Sequence, residues 1–185
     1  MISTELIRRY PFFAGLNHDY VGTLAKLADV VSVDAGHCFF REGDELTKLY
    51  LVVEGAVGLI IQVPDRDKEQ PLSGQLTGKL TTKDVTVSTV GTGGVFGWSA
   101  LIPSHEATAG AKALTPCRAI ALNCEDLCPI FEEDRYLAYL MTLKAAQIVR
   151  ERLRDIRIET LAENGAKAVT NRIDSERCAT LISRI

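Results

Sequence analysis

The sequence predicts a mainly β domain with flanking helices, a double-stranded β-helix jelly roll followed by one long C-terminal helix. Three observations predict it. From Val30 to Leu122, short apolar runs alternate with turn residues and no helical pattern separates successive runs, which favours antiparallel sheets over a parallel one. Helical spacing frames that body on both sides. After Asp134 it becomes the narrow seam of a coiled coil.

At the N-terminus, residues 3 to 9 open with a Ser/Thr cap, and residues 17 to 29 place Val21, Leu24, Leu27 and Ala28 on one stripe. PFFAGL makes a turn between them. The β body begins with VVSV, the turn Asp34-Ala35-Gly36 and CFF. In KLYLVVEGAVGLIIQV the runs Leu49 to Val53 and Ala56 to Val63 flank Glu54-Gly55, which reads as a hairpin with a tight primed turn. Residues 64 to 84, polar and rich in Pro, Gly and Thr, read as a long surface loop or an extended hairpin tip. Strands resume with VTVSTV; GTGGVFG, a helical turn in SALI, and strands near Thr108 to Ala113 and Arg118 to Leu122 complete the body.

Asn123 is placed to cap a short helix from Cys124 to Phe131, and a longer helix starts at Asp134. Tyr139, Thr142, Ala146, Val149, Leu153, Ile156 and Thr160 recur at spacings of three and four. A rod of that length, roughly 40 Å, outreaches a small barrel, so its seam calls for a partner, and an identical helix is the simplest one. Gly165 is expected to end it, and ERCATLISRI after Asp174-Ser175 reads as a separate short helix. The expected division is therefore 1–133 for the jelly roll with its N-terminal helices, 134–160 for a dimerisation helix and 161–185 for a short helical tail.

Composition narrows the function. A formal charge of -3 gives no basic surplus for phosphate backbones, and the +3 of residues 134 to 185 is mild enough for solvated helix faces. No apolar run approaches a membrane span, and MISTELIRRY lacks the apolar core of a signal peptide, so a cytoplasmic protein that does not enter a membrane is expected. Cys38, Cys117, Cys124, Cys128 and Cys178 form no CxxC pair and are expected to be reduced. His18, His37 and His105 are scattered, so a metal-dependent cupin enzyme is not expected, and no nucleophile-base pair suggests catalysis. Cys124 and Cys128, four apart at a helix start, are expected to pack as small core residues, with thiols that respond to oxidants as the alternative.

The stretch FFREGDELTKLYLVVEGAVGL, with Gly43-Asp44 in a turn and Gly55 after the apolar run, resembles the first signature of the cyclic-nucleotide-binding domains. These belong to the catabolite activator protein and its relatives among bacterial regulators, channels and kinases. GGVFGWSALI is similar to the same family's phosphate-binding cassette, and the likeness covers roughly residues 5 to 160. It implies a non-catalytic regulatory sensor whose ligand pocket is formed by Phe96, Gly97, Trp98, Ser99, Ala100, Leu101, Glu106, Ala107 and Thr108. No cofactor or metal is implied beyond a small anionic or nucleotide-like ligand.

Two positions depart from the family pattern. The resemblance implies a Glu after Phe-Gly to hold the ribose hydroxyl, and here Trp98 follows Phe96-Gly97. Further on, Glu106 or a neighbour within one residue stands where an Arg would meet the cyclic phosphate. Losing such an Arg costs on the order of 2 to 5 kcal/mol, at least tens-fold in affinity, and a carboxylate in its place adds repulsion. Gly97 to Ala100 still offer backbone N–H groups, so an ordinary cyclic nucleotide, another small ligand and an empty pocket all stay open. Trp98 either stacks on a planar ligand or plugs the vacated space.

The expectation is a regulatory sensor of the cyclic-nucleotide-binding type that holds cyclic AMP or cyclic GMP poorly or not at all and acts through a helix-mediated homodimer, with a further protein as a possible reader. The alternatives are a ligand-free interaction scaffold offering Leu181, Ile182 and Ile185, or the sensor part of a transcription regulator that does bind a cyclic nucleotide. The 25 residues after Thr160 are too few for a winged helix-turn-helix, so DNA binding by this chain alone is not expected.

Overall fold

Ser3 accepts a hydrogen bond from the Glu5 N–H and starts α1 (Thr4–Arg8); Asn17 does the same for the Tyr20 N–H at the head of α2 (His18–Leu27). The computed structural model of the chain describes residues 2–65 and 81–182, with side chains through 161 except 159. Most of the expected loop, residues 66–80, lies outside the described residues, as do the side chains of Cys178, Leu181, Ile182 and Ile185.

Eight strands follow α2 among the described residues: β1 (Ala28–Val33), β2 (Cys38–Phe40), β3 (Lys48–Glu54), β4 (Val57–Pro64), β5 (Thr82–Val90), β6 (Val95–Phe96), β7 (Gly110–Ala113) and β8 (Cys117–Asn123). They form two four-stranded antiparallel sheets, ordered β1-β8-β3-β6 and β2-β7-β4-β5, the jelly roll expected from the strand pattern. β3 and β8 read as unbroken apolar runs because both of their faces are covered. Leu49 stands opposite Leu122 and Leu51 opposite Ile120, all nearly inaccessible, while Tyr50 on the other face stacks on Phe96.

The expected hairpin at Glu54-Gly55 is not one. β3 pairs with β6 and β8 whereas β4 pairs with β5 and β7, so the chain changes sheet there. Gly55 has φ of 90°, and a Cβ on it would lie 2.3 Å from the Pro116 carbonyl oxygen, so the corner lies tight against the β7–β8 turn. The Ala56 N–H donates to Thr115 Oγ1 at 3.0 Å and the Leu114 N–H to the Ala56 carbonyl at 2.8 Å. β4 finds its hairpin partner in β5 instead, from Val57 with Val90 out to Pro64 with Thr82, so residues 82–84 are strand rather than loop.

Asn123 caps α3 (Cys124–Glu133) through the Glu125 N–H, as its sequence position predicts. Asp134 then caps α4 (Arg135–Ile182), its Oδ1 accepting from the Tyr136 and Leu137 N–H groups at 3.0 Å each. Those bonds, and one from the Tyr20 hydroxyl, hold its carboxyl below the usual range. α4 is continuous through Gly165, so the expected break and separate terminal helix are absent. One interior Gly costs about 1 kcal/mol, and Ala162, Ala166 and Ala168 beside it are among the strongest helix formers. The chain divides into two units, Met1–Lys144 and Ala145–Ile185. The first holds both sheets; the second is a stretch of α4, on which Val149, Leu153, Ile156, Ile158 and Leu161 are exposed.

Candidate functional site

Beyond β6 the backbone turns at Gly97, where φ is 74° and a Cβ would come within 2.8 Å of the Lys48 carbonyl oxygen. That turn launches a single 3-10 turn, Trp98–Leu101, closed by the Ala100 N–H on the Gly97 carbonyl at 3.1 Å. A strap, residues 102–106, leads to Ala107, which is fixed against the Gly43 turn. There the Gly43 N–H donates to the Ala107 carbonyl and the Ala107 N–H to the Asp44 carbonyl, both at 2.8 Å. Asp44 Oδ2 in turn accepts from the Arg41 N–H at 2.7 Å, which shapes the turn from within.

Between these pieces lies a cavity of about 30 Å³, bounded by Gly97, Trp98 and Ser99 on one side, Ala107 to Ala109 on another, and Phe40, Leu46, Leu59 and Phe96 at its base. One water molecule occupies about that much liquid, whereas small-molecule sites run to several hundred Å³. Phe40 and Phe96 at the base of the cavity belong to an aromatic cluster whose other members, Phe39 and Tyr50, line a second hollow of about 380 Å³ that shares Phe40 and Leu46 with it. Tyr50 and Phe96 stack with centroids 4.9 Å apart and planes 10° apart, Phe39 meets Phe96 edge-on at 5.0 Å, and Phe40 lies 6.1 Å from Phe96. Burial raises the Tyr50 phenol above its ordinary pKa.

Of the nine residues expected at the site, Phe96, Gly97, Trp98, Ser99, Ala107 and Thr108 line this cavity. Ala100 is buried beneath it and Leu101 half-buried, and neither is part of the wall. Glu106 is exposed and outside it, which corrects the charge reversal inferred from sequence. Glu106 pairs with Glu45 as an isolated antiparallel bridge, and because successive residues on extended backbone point to opposite sides, the residue turned inward is its neighbour Ala107. That side chain is a methyl group, and no charged residue lines the cavity among the described residues. Arg41, just after β2, lines another hollow of about 320 Å³ with Lys112, Glu42 and Asp84.

Sequence reasoning missed Phe40, Leu46, Leu59 and Ala109. Phe40 and Leu46 lie within the stretch that carried the family resemblance, and their apolar character was legible, but which sheet each faces was not. Of the two cysteines at the start of α3, Cys124 packs in the core as expected and Cys128 does not. Cys124 stands at the start of α3, and burial pushes its pKa up to about 12 against a hydrogen bond with the Leu49 backbone that lowers it, which leaves it a packed thiol. Cys128 and Cys38 are exposed. No helix among the described residues is long and apolar enough to cross a membrane.

The family model described as cyclic nucleotide-binding domain matches residues 30–134. Among solved structures, a protein of Geobacter metallireducens GS-15 described as cyclic nucleotide-binding superposes with a TM-score of 0.67 at 28% identity, covering 83% of this chain and 99% of the other. The catabolite activator protein of Thermus thermophilus superposes at 0.57 with 24% identity over 82% of this chain and 63% of the other, a likeness of fold. A Rhodopseudomonas palustris protein described as a potassium channel is 24% identical over 127 residues, 69% of this chain. This chain spans about a quarter, 26%, of that relative's length.

Proposed function

Because the chain belongs to the cyclic nucleotide-binding domain family, we propose that it is a non-catalytic regulatory module of that family that does not use cyclic AMP or cyclic GMP as its signal. The observation that carries this reading is the cavity of about 30 Å³ with Trp98 in its wall and Ala107 where a phosphate would need a cation. A bound cyclic phosphate would lose a bidentate charge-assisted contact there, and a space of that volume is too small for a nucleotide. Exposed Val149, Leu153 and Ile156 on α4 support the second half of the proposal, a homodimer formed along residues 134–160. The relatives include a catabolite activator protein and a channel, so the module's output is read as a change in that helix pair, sensed by another protein. A cytoplasmic setting is part of this proposal.

Isothermal titration of the full chain with cyclic AMP and cyclic GMP tests it. No binding heat is expected up to about 1 mM ligand, weaker than roughly -4 kcal/mol of binding free energy. Saturation in the low micromolar range by either nucleotide would sink the reading.

A further inference from the structure

Ser104 and His105, in the strap between the two walls of the cavity, are consecutive and carry φ of 85° and 50°; among the described residues no other non-glycine residue has a positive φ. An L side chain crowds its own backbone in that region, so the conformation lasts only where its surroundings hold it. Two backbone bonds do so: the His105 N–H donates to the Ile102 carbonyl at 2.9 Å, and the Leu46 N–H donates to the His105 carbonyl at 2.7 Å. The third tie is a side chain. His105 Nδ1 lies 3.0 Å from the Ala100 carbonyl oxygen, and since a carbonyl only accepts, Nδ1 carries the proton.

That ring bond fastens the strap back onto the turn that supplies Trp98 and Ser99, while the far end of the strap runs into Ala107 and Thr108 of the opposite wall. Ala107 stays held against the Gly43 turn, so movement of the strap would uncover the space between the two walls. The surface it would uncover is chemically one-sided: Phe40, Leu59, Phe96 and Trp98 are apolar, and Ser99 and Thr108 add only hydroxyls. Such a lining rejects an anion and accepts a flat, neutral ring.

We infer that residues 102–106 form a lid latched by His105, and that the space beneath it takes an uncharged planar aromatic molecule. This rests on the reading above that no phosphate is held at the site.

Trp98 is the single tryptophan of the chain, so its fluorescence reports on the lid. The full-length protein is compared with His105→Ala, which removes the latch, and Ser104→Gly, which relieves strain and keeps it. Acrylamide quenching of Trp98 is expected to rise about threefold in His105→Ala, as the open population grows, and to fall below the unaltered protein in Ser104→Gly. The neutral dye N-phenyl-1-naphthylamine is expected to brighten with His105→Ala and to shield Trp98 from acrylamide.

Equal quenching of His105→Ala and the unaltered protein overturns the latch and leaves the nucleotide-free reading standing. A dye without effect on His105→Ala overturns the ligand class. Shielding of Trp98 by cyclic AMP but not by the dye overturns both this inference and the proposed function. If His105→Ala fails to fold, Ser104→Gly decides: reduced quenching supports the latch, and equal or greater quenching refutes it.

Discussion

Phe96 in the jelly roll is 1% exposed and Leu153 in the long helix is 47% exposed, although both belong to apolar patterns that the sequence displays equally clearly. The jelly roll has matched its apolar side chains to one another: Tyr50, Phe39 and Phe40 gather on Phe96. The helix has not. From Val149 to Leu161 its apolar side chains face solvent. The difference teaches that an apolar side chain buried by its own domain is already covered, whereas an exposed apolar seam gains from a partner that covers it.

The comparison is broken most forcefully from the jelly-roll side. Phe96→Ala is expected to cost about 3 to 5 kcal/mol of stability, read as a shift in the urea midpoint. A loss below about 1 kcal/mol would mean that the aromatic group is not the packed interior described above.

On the helix side, Leu153→Glu with Ile156→Glu is expected to leave the thermal midpoint of the jelly roll in place. The same pair weakens self-association at least a hundredfold, since each buried Leu or Ile is worth about 1.5 to 3 kcal/mol. Sedimentation velocity decides it. An unaltered protein that stays monomeric at about 100 μM, some hundredfold above a dimer constant of about 1 μM, would remove the homodimer from the proposal.

The smallest effect concerns the thiols. Cys128 is expected to react with a thiol reagent at pH 8 in the folded protein while Cys124 does not, a contrast that peptide mass mapping resolves. The folded pKa of Cys124, about 12, lies above its ordinary 9.0, so the folded state favours the protonated thiol. That contribution is complete below the ordinary value and disappears as pH climbs from there toward the folded value. The urea midpoint should therefore decline over that interval, and Cys124→Ala should flatten the decline; a decline of the same slope in the variant would assign it elsewhere.

Element positions were legible because they depend on near neighbours. Asn123 caps a helix wherever the chain goes afterwards, and Gly43 and Gly97 take the positive φ of their turns whatever lies beyond. Partnership was not legible in the same way. The Glu54-Gly55 pair satisfies the local rules for a hairpin, yet it is a corner between sheets, because β3 finds β8 about 70 residues further along rather than β4 next door. Gly165 satisfies the rules for a helix end, and the alanines around it carry the helix past.

The candidate site shows the same division. That Trp98 replaces a carboxylate, and that no arginine stands within a residue of Glu106, could be read directly from the order of residues, and both weigh against a nucleotide. Which of Glu106 and Ala107 turns inward depended on the bridge to Glu45, and the volume left over depended on Phe40, Leu59 and Phe96 meeting from β2, β4 and β6. The sequence by itself determined the kinds of element, their order and the chemical types available to the pocket, since these follow from short-range sterics and side-chain chemistry. Only the tertiary structure decided pairing, facing and remaining volume, because each is a property of residues far apart in the chain competing for the same space.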